Sequence, residues 1–117
     1  MTNKFRLTNV LNISDIEQFT DIAKKIIAEI ESEVGTLAFQ MYMDEQNSKC
    51  VIYEQFADSD AWITHANSNA AKLLLPELLK HASIEKFEVL GDLSEEAKKT
   101  MDGLGAIYLK RKMGFEK

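Results

Sequence analysis

The sequence has few of the residues on which several protein classes depend. Among its 117 residues there are one cysteine, one proline and two histidines. A single cysteine, Cys50, cannot form an intrachain disulfide or a redox pair, and its place in an apolar run predicts a small buried side chain. Because the two histidines and the cysteine show no ligand-like spacing, we expect no bound metal.

Long apolar runs and an excess of positive charge are also missing. No run reaches the roughly 18 apolar residues that a membrane-spanning helix needs, and the first residues lack the apolar core of a signal peptide. The formal net charge is −5 at pH 7, which disfavours nucleic acid and anionic membrane surfaces as partners. These features predict a cytoplasmic protein that binds neither nucleic acid nor membranes.

The length and composition are those of one globular domain. Apolar residues make up 45% of the chain and charged residues 28%, which are ordinary values for such a domain, and the length allows one hydrophobic core. Charge is distributed unevenly: residues 1–97 carry 8 basic and 17 acidic side chains, whereas residues 98–117 carry 6 basic and 2 acidic ones. We expect this basic tail to be solvated or to contact a second subunit.

Hydrophobic periodicity predicts strands and helices in the first half of the chain. A strand is expected over residues 5–11. Ser14-Asp15-Ile16-Glu17 has the pattern of a capping box with Ser14 as the N-cap, and an amphipathic helix follows it to about residue 32. Two apolar runs, at 34–43 and 50–56, flank a six-residue polar turn and predict a hairpin.

The second half continues the alternation. A helical region is predicted from about residue 59 to 81, with a break or a new helical turn at Pro76. A strand is expected over 84–90, a short helix begins at Ser94, and a fifth strand at 106–109 lies at the sheet edge or on a partner subunit. The resulting α+β order is the ferredoxin-like βαββαβ unit with a C-terminal helix and an extra strand.

One ionisable residue interrupts this apolar pattern. Glu54 lies within the third strand, where a carboxylate is costly unless it is paired or contacts a ligand. His65 follows eleven residues later on the predicted second helix. A carboxylate beside an imidazole fixes the tautomer and leaves the other nitrogen free to take a proton. The pair is therefore a candidate acid–base site, and a buried, satisfied structural pair is the alternative.

These residues and their spacing resemble the antibiotic biosynthesis monooxygenase (ABM) family. Glu33 and Gly35 precede the second strand, with Val34 where the family often has proline. Tyr53-Glu54 lies at the end of the third strand, and His65 follows at the distance found in the family. The resemblance rests on this joint spacing, since no single motif is specific.

The resemblance implies a fold, an assembly and an activity. It covers roughly residues 4–90 and so implies a single domain over 1–117 with a C-terminal extension over about 91–117. Family members are dimeric α+β barrels in which two subunits pack sheet against sheet, so a homodimer is expected. The family includes quinol monooxygenases, which implies that a small aromatic, quinol-type substrate is oxidised with dioxygen and without a metal, flavin or other cofactor.

The resemblance also implies the composition of the site. His65 and Glu54 would face an apolar pocket between the sheet and the helices and act as the catalytic residues. Four further residues would form the pocket wall: Asn9, Phe39, Phe56 and Trp62.

Two other functions remain open. A protein of this fold can bind a small molecule without catalysing a reaction. Haem-degrading relatives share the fold and use an axial histidine and a tryptophan that distorts the porphyrin. Alignment on Phe56 places Leu75 and His65 at those two positions, which makes haem degradation the less favoured alternative.

Overall fold

The computed structural model describes residues 4–117, in which strands and helices alternate in the expected order. The elements are β1 (Phe5–Ile13), α1 (Ile16–Ile30), β2 (Thr36–Asp44), β3 (Lys49–Phe56), α2 (Ser59–Ala66), a π-helical turn (Ala70–Leu74), α3 (Leu75–Leu78), β4 (Ala82–Leu90), α4 (Glu95–Thr100) and β5 (Ala106–Leu109). This confirms the α+β, ferredoxin-like fold. Residues 1–3 of the predicted domain lie outside the described residues.

The five strands form one sheet in the order β2-β3-β1-β4-β5. The first four pair in antiparallel fashion, and β5 runs parallel to β4 at the edge of the sheet. The predicted fifth strand is thus present, and it extends the sheet of its own chain. Buried side chains alternate along β1, from Phe5 through Leu7 to Leu11, because successive residues of a strand point to opposite faces. The helices pack on that buried face.

The core consists of two apolar clusters on this face. In the first, Phe19 and Ile26 of α1 pack against Leu11 of β1 and Ile52 of β3. The second cluster contains Phe5, Phe56, Trp62, Phe87, Ala97 and Met101. Burying each large apolar side chain stabilises the fold by about 1.5–3 kcal/mol relative to leaving it exposed. The cavity described below lies between the two clusters, since its wall takes residues from both.

The first helix begins one residue later than its capping pattern predicts. Asp15 is the N-cap and accepts a hydrogen bond from the Gln18 amide at 3.0 Å. The prediction of Ser14 as N-cap was wrong because the Asp15 carboxylate caps the helix. The Ser14 amide, which Glu17 would bind in a capping box, donates to the His81 carbonyl at 2.8 Å. This bond ties the start of α1 to the end of the second helical region.

The second helical region is broken twice, once after Ala66 and once near Pro76. Helix α2 ends at Ala66, and Asn67 is its C-cap. A π-helical turn follows, in which the Leu75 amide donates to the Ala70 carbonyl. Pro76 then lies in the first turn of α3, which confirms the predicted new helical turn. Proline has no amide hydrogen and excludes the regular bond to the fourth preceding carbonyl, and a wider turn ahead of it accommodates that loss.

The basic tail is exposed along residues 110–117. One ion pair ties it to the sheet, in which Arg6 Nη2 lies 2.6 Å from Glu116 Oε1. Arg6 also donates to the Tyr53 hydroxyl at 3.0 Å. Exposure in a single chain is compatible with both sequence-based alternatives, a solvated tail and a subunit contact.

Candidate functional site

A cavity of about 90 Å³ lies between the sheet and the helices. Three polar side chains line it, Asn9, Glu54 and His65, and its other lining side chains are apolar. Phe39 and Trp62 also belong to the wall. Five of the six residues chosen from the sequence therefore meet around one cavity.

The carboxylate of Glu33 contacts one face of the site through His65 Nδ1. Glu33 Oε1 lies 2.8 Å from His65 Nδ1 and also accepts a hydrogen bond from the Thr36 hydroxyl at 2.7 Å. A carboxylate can only accept hydrogen bonds, so Nδ1 carries the hydrogen in this arrangement. The other ring nitrogen, Nε2, then carries the lone pair when the imidazole is neutral.

A close approach of two backbone segments brings Glu33 beneath the histidine. The turn between α1 and β2 passes directly under α2, and the Gly35 carbonyl accepts a bond from the Ala57 amide at 2.9 Å. A Cβ atom on Gly35 would lie 2.4 Å from the Ala61 Cβ, so only glycine fits at this point. The glycine therefore allows the preceding Glu33 to reach a helix that begins 26 residues further along the chain.

Glu54 lies on the other side of the imidazole. Its Oε1 is 3.6 Å from His65 Nε2, which is too long for a hydrogen bond. Only 6% of its side chain is exposed. Burial and, to a smaller degree, the negative charge of Glu33 raise the pKa of Glu54 to about 8. At neutral pH the carboxyl is therefore mostly protonated and can donate a proton as well as accept one.

Aromatic rings fix the orientation of the histidine. The His65 ring centroid lies 5.2 Å from that of Phe56 and 5.5 Å from that of Trp62. The Trp62 indole N–H donates to the Thr100 hydroxyl at 2.6 Å, which couples α2 to α4. Phe56 is fully buried and stacks on Phe5. It supports the wall from behind and does not line the cavity, in contrast to the role expected for it.

Asn9 places a polar group deep in the apolar sheet. Its Oδ1 atom is buried and has no hydrogen-bond partner among the described residues. An unsatisfied buried acceptor costs about 1–3 kcal/mol, so such an atom calls for a bound donor to offset that loss. Its place in the cavity lining makes it a natural contact for a ligand hydroxyl.

Sequence reasoning missed Glu33 as a member of the site and several apolar residues of the wall. Glu33 was visible in the motif ahead of β2, but nothing local assigned it to the histidine. Leu75, Leu78 and Leu79 line the cavity from α3 and its C-cap, and Leu104 does so from the C-terminal extension.

Residues 4–117 lack the features of two further classes of site. That part of the chain holds no group of three or more histidine, cysteine, aspartate or glutamate side chains able to hold a metal ion. None of its helices is long and apolar enough to span a membrane.

The sequence matches the family described as antibiotic biosynthesis monooxygenase (ABM) over residues 14–74. That match covers more than half of the chain, and it includes Glu33, Glu54 and His65. The chain therefore belongs to this family. No curated protein matches the sequence.

Solved structures share the fold at low sequence identity. MupZ from Pseudomonas fluorescens is 18% identical and superposes with a TM-score of 0.84. The superposition covers 100% of this chain and 91% of the MupZ chain. SnoaB, a cofactor-independent oxygenase from Streptomyces nogalater, is 11% identical and superposes with a TM-score of 0.68. The superposition covers 79% of this chain and 95% of the SnoaB chain. Rv0793 from Mycobacterium tuberculosis is 13% identical and superposes with a TM-score of 0.62. The superposition covers 79% of this chain and 97% of the Rv0793 chain.

Proposed function

We propose that this member of the antibiotic biosynthesis monooxygenase family oxidises a small hydroquinone-type aromatic with dioxygen and without a bound cofactor. The observation that carries the proposal is the row Glu33–His65–Glu54 at the wall of an apolar cavity. It combines an oriented imidazole with a neutral carboxylic acid, and a phenolic substrate needs both a proton acceptor and a proton donor.

The imidazole serves as the base. Glu33 Oε1 accepts a hydrogen bond from His65 Nδ1 at 2.8 Å. The lone pair of Nε2 is therefore free to take the phenolic proton. The phenolate is electron-rich and transfers one electron to dioxygen, and the two radicals combine to form a carbon–oxygen bond. For hydroquinone the balance is one quinol plus one dioxygen to one hydroxybenzoquinone plus one water.

Glu54 supplies the proton for the second half of the reaction. The carbon that bears the peroxide loses its proton as the oxygen–oxygen bond breaks, so that carbon becomes a carbonyl and the outer oxygen leaves as water. The leaving oxygen needs a proton. A carboxyl that is protonated at neutral pH and lies 3.6 Å from Nε2 is placed to give it. The apolar wall limits access of water, which would otherwise compete for these protons.

The comparisons support the class of reaction. The family name denotes monooxygenases, and SnoaB, which shares the fold, is a cofactor-independent oxygenase. Neither identifies the substrate of this chain. The choice of a phenolic ring is supported by the apolar wall, by the acid–base pair and by the Asn9 acceptor, which has no partner among the described residues.

We further propose that the chain acts as a single domain and assembles as a homodimer through the outer face of the sheet. That face carries apolar side chains that are more than a third exposed, among them Tyr42, Val51, Leu90 and Leu109. An apolar surface of this kind is unusual on a monomer and typical of an interface. A second copy of the sheet would cover it and leave the helices and the cavity accessible.

The test is oxygen uptake with a panel of hydroquinones. Wild type is compared with His65→Ala and Glu54→Gln, and His81→Ala serves as the matched control because the second histidine does not line the cavity. Loss of a general acid or base lowers a rate by about 10²–10⁴-fold, so we expect that loss in the first two variants and none in the control. Added catalase separates the reaction from autoxidation, which forms hydrogen peroxide and not water.

Two results would contradict the proposal. Equal rates for wild type, His65→Ala and Glu54→Gln, with all three folded, would make the row a structural feature. Uptake by wild type no faster than in buffer would favour a protein that binds a small molecule without turnover.

A further inference from the structure

The C-terminal extension contributes one residue to the cavity wall among the described residues, namely Leu104. This extension follows β4 and lies beyond the part of the chain that matches the family. Its helix α4 is firmly anchored, since Ala97 and Met101 are no more than 1% exposed. The hydrogen bond between Trp62 and Thr100 joins the same helix to the cavity wall.

Leu104 is carried on a turn between two glycines that have open space around them. It lies between Gly103 and Gly105, which have φ angles of +90° and +72°. Neither glycine has other atoms within 4 Å of the position that a Cβ would occupy. The Leu104 amide donates to the Met101 carbonyl at 3.1 Å, so the turn is attached to α4 at one end. The Leu104 side chain is partly buried against the second apolar cluster.

Because the cavity is small, the Leu104 side chain affects which ligands fit. A closed apolar cavity of about 150 Å³ in another protein accepts benzene, whereas the cavity here measures about 90 Å³. A single aromatic ring therefore requires a modest outward movement of part of the wall. The sheet residues and α1 are held in the packed core, but Leu104 projects from a turn with open space around its glycines. A fused two-ring ligand would require removal of this side chain and not merely its displacement.

We propose that Leu104 sets the size limit of the ligand and restricts the cavity to single-ring hydroquinones. The inference rests on the proposed function in that it takes the cavity to be the substrate site. It does not depend on any chemical step, so binding can test it separately from turnover.

The experiment measures binding of 1,4-dihydroxybenzene and 1,4-dihydroxynaphthalene without oxygen, by titration calorimetry and by the fluorescence of Trp62. Trp62 is the one tryptophan of the chain and lines the cavity, so its emission reports on occupancy. Wild type should prefer the single ring. Because one methylene group in an apolar pocket changes affinity by about 10–200-fold, Leu104→Ala should bind the two-ring ligand at least about tenfold more tightly than wild type does.

Leu93→Ala is the matched control. Leu93 belongs to the same extension and packs against the same apolar cluster, but it does not line the cavity. The truncation is identical, so the control should lose similar stability without gaining affinity for the two-ring ligand. If Leu104→Ala does not fold, Leu104→Val should show a smaller gain in the same direction.

Several results would overturn the inference. Wild type could bind the two ligands equally tightly or bind neither, or Leu93→Ala could gain as much affinity as Leu104→Ala. Single-ring selectivity that depends on Leu104, together with no oxygen uptake, would leave this inference standing and refute the proposed function. Oxygen uptake without size discrimination would support the proposed function and refute this inference.

Discussion

Replacing Glu54 with glutamine should make the stability of the protein less sensitive to pH. Glutamine has nearly the shape of a protonated glutamate but carries no titratable proton. In wild type, burial and the nearby charge of Glu33 raise the pKa of Glu54 to about 8, whereas its ordinary value is 4.5. The two proteins therefore differ in how folding is linked to proton binding.

The sign of this effect follows from the raised pKa. The stability that comes from keeping Glu54 neutral is fully present below pH 4.5, where folded and unfolded chains are both protonated. Between pH 4.5 and 8 the unfolded chain ionises while the folded chain does not, so wild-type stability falls. It levels off above pH 8. Each unit of pKa difference corresponds to about 1.4 kcal/mol, so the total loss relative to Glu54→Gln is on the order of 3–5 kcal/mol.

Urea unfolding at fixed protein concentration measures this difference at pH 4.5, 7 and 9. Trp62 fluorescence and circular dichroism should both follow the transition. Glu33 and His65, which face Glu54, are present in both proteins. The control is Glu85→Gln, since Glu85 is exposed and its hydrogen bond to Lys49 lowers its pKa. The control should show a small dependence of opposite sign.

A constant stability difference between wild type and Glu54→Gln from pH 4.5 to 9 would refute the reasoning. It would mean that folding does not raise the pKa of Glu54. The carboxyl would then be ionised at neutral pH and could not act as the proton donor in the proposed reaction. Infrared detection of a protonated carboxyl that is absent from the variant offers a direct check in the folded protein.

Three further predictions concern packing and assembly. Gly35→Ala should destabilise the fold by about 1–3 kcal/mol in urea unfolding, and Ala61→Gly in the same chain should restore much of the loss; no rescue would mean that the 2.4 Å approach is not the cause. Thr100→Val removes the acceptor of the Trp62 N–H and should cost about 1 kcal/mol and shift the tryptophan emission, whereas an unchanged spectrum would contradict that bond. Sedimentation should give a dimer at micromolar concentration and a monomer for Val51→Lys, and a monomeric wild type would exclude the sheet-face dimer.

Most of the fold was predictable because its signals are local. The hairpin was expected from apolar runs at 34–43 and 50–56 around a polar turn, and the strands observed are Thr36–Asp44 and Lys49–Phe56. The N-cap of α1 was misplaced by one residue because serine and aspartate are both favoured at an N-cap. The bond that occupies the Ser14 amide is made to the carbonyl of His81, which is distant in the sequence. The π-helical turn lies directly ahead of Pro76, whereas the end of α2 at Ala66 has no comparable local signal.

The site was predictable only in part for a similar reason. Glu54 and His65 could be identified because an ionisable residue in an apolar strand is visible in the sequence, and their distance matches the family. The contact of Glu33 with His65 depends on the approach of Gly35 to Ala61, which no local pattern encodes. Phe56 was expected in the pocket wall from the family resemblance, and it is fully buried but does not line the cavity. Whether it lined the cavity or lay behind it was decided by the rings that pack in front of it.

The arrangement explains how two glutamates beside one imidazole can take different roles. Glu33 is less deeply buried, with 16% of its side chain exposed, and its carboxylate receives two hydrogen bonds. Glu54 has 6% exposed, receives no such bonds in the described structure and faces the negative charge of Glu33. The environment therefore favours one charged and one neutral carboxyl. The charged one orients the imidazole, and the neutral one adjoins the cavity, where a substrate would need a proton.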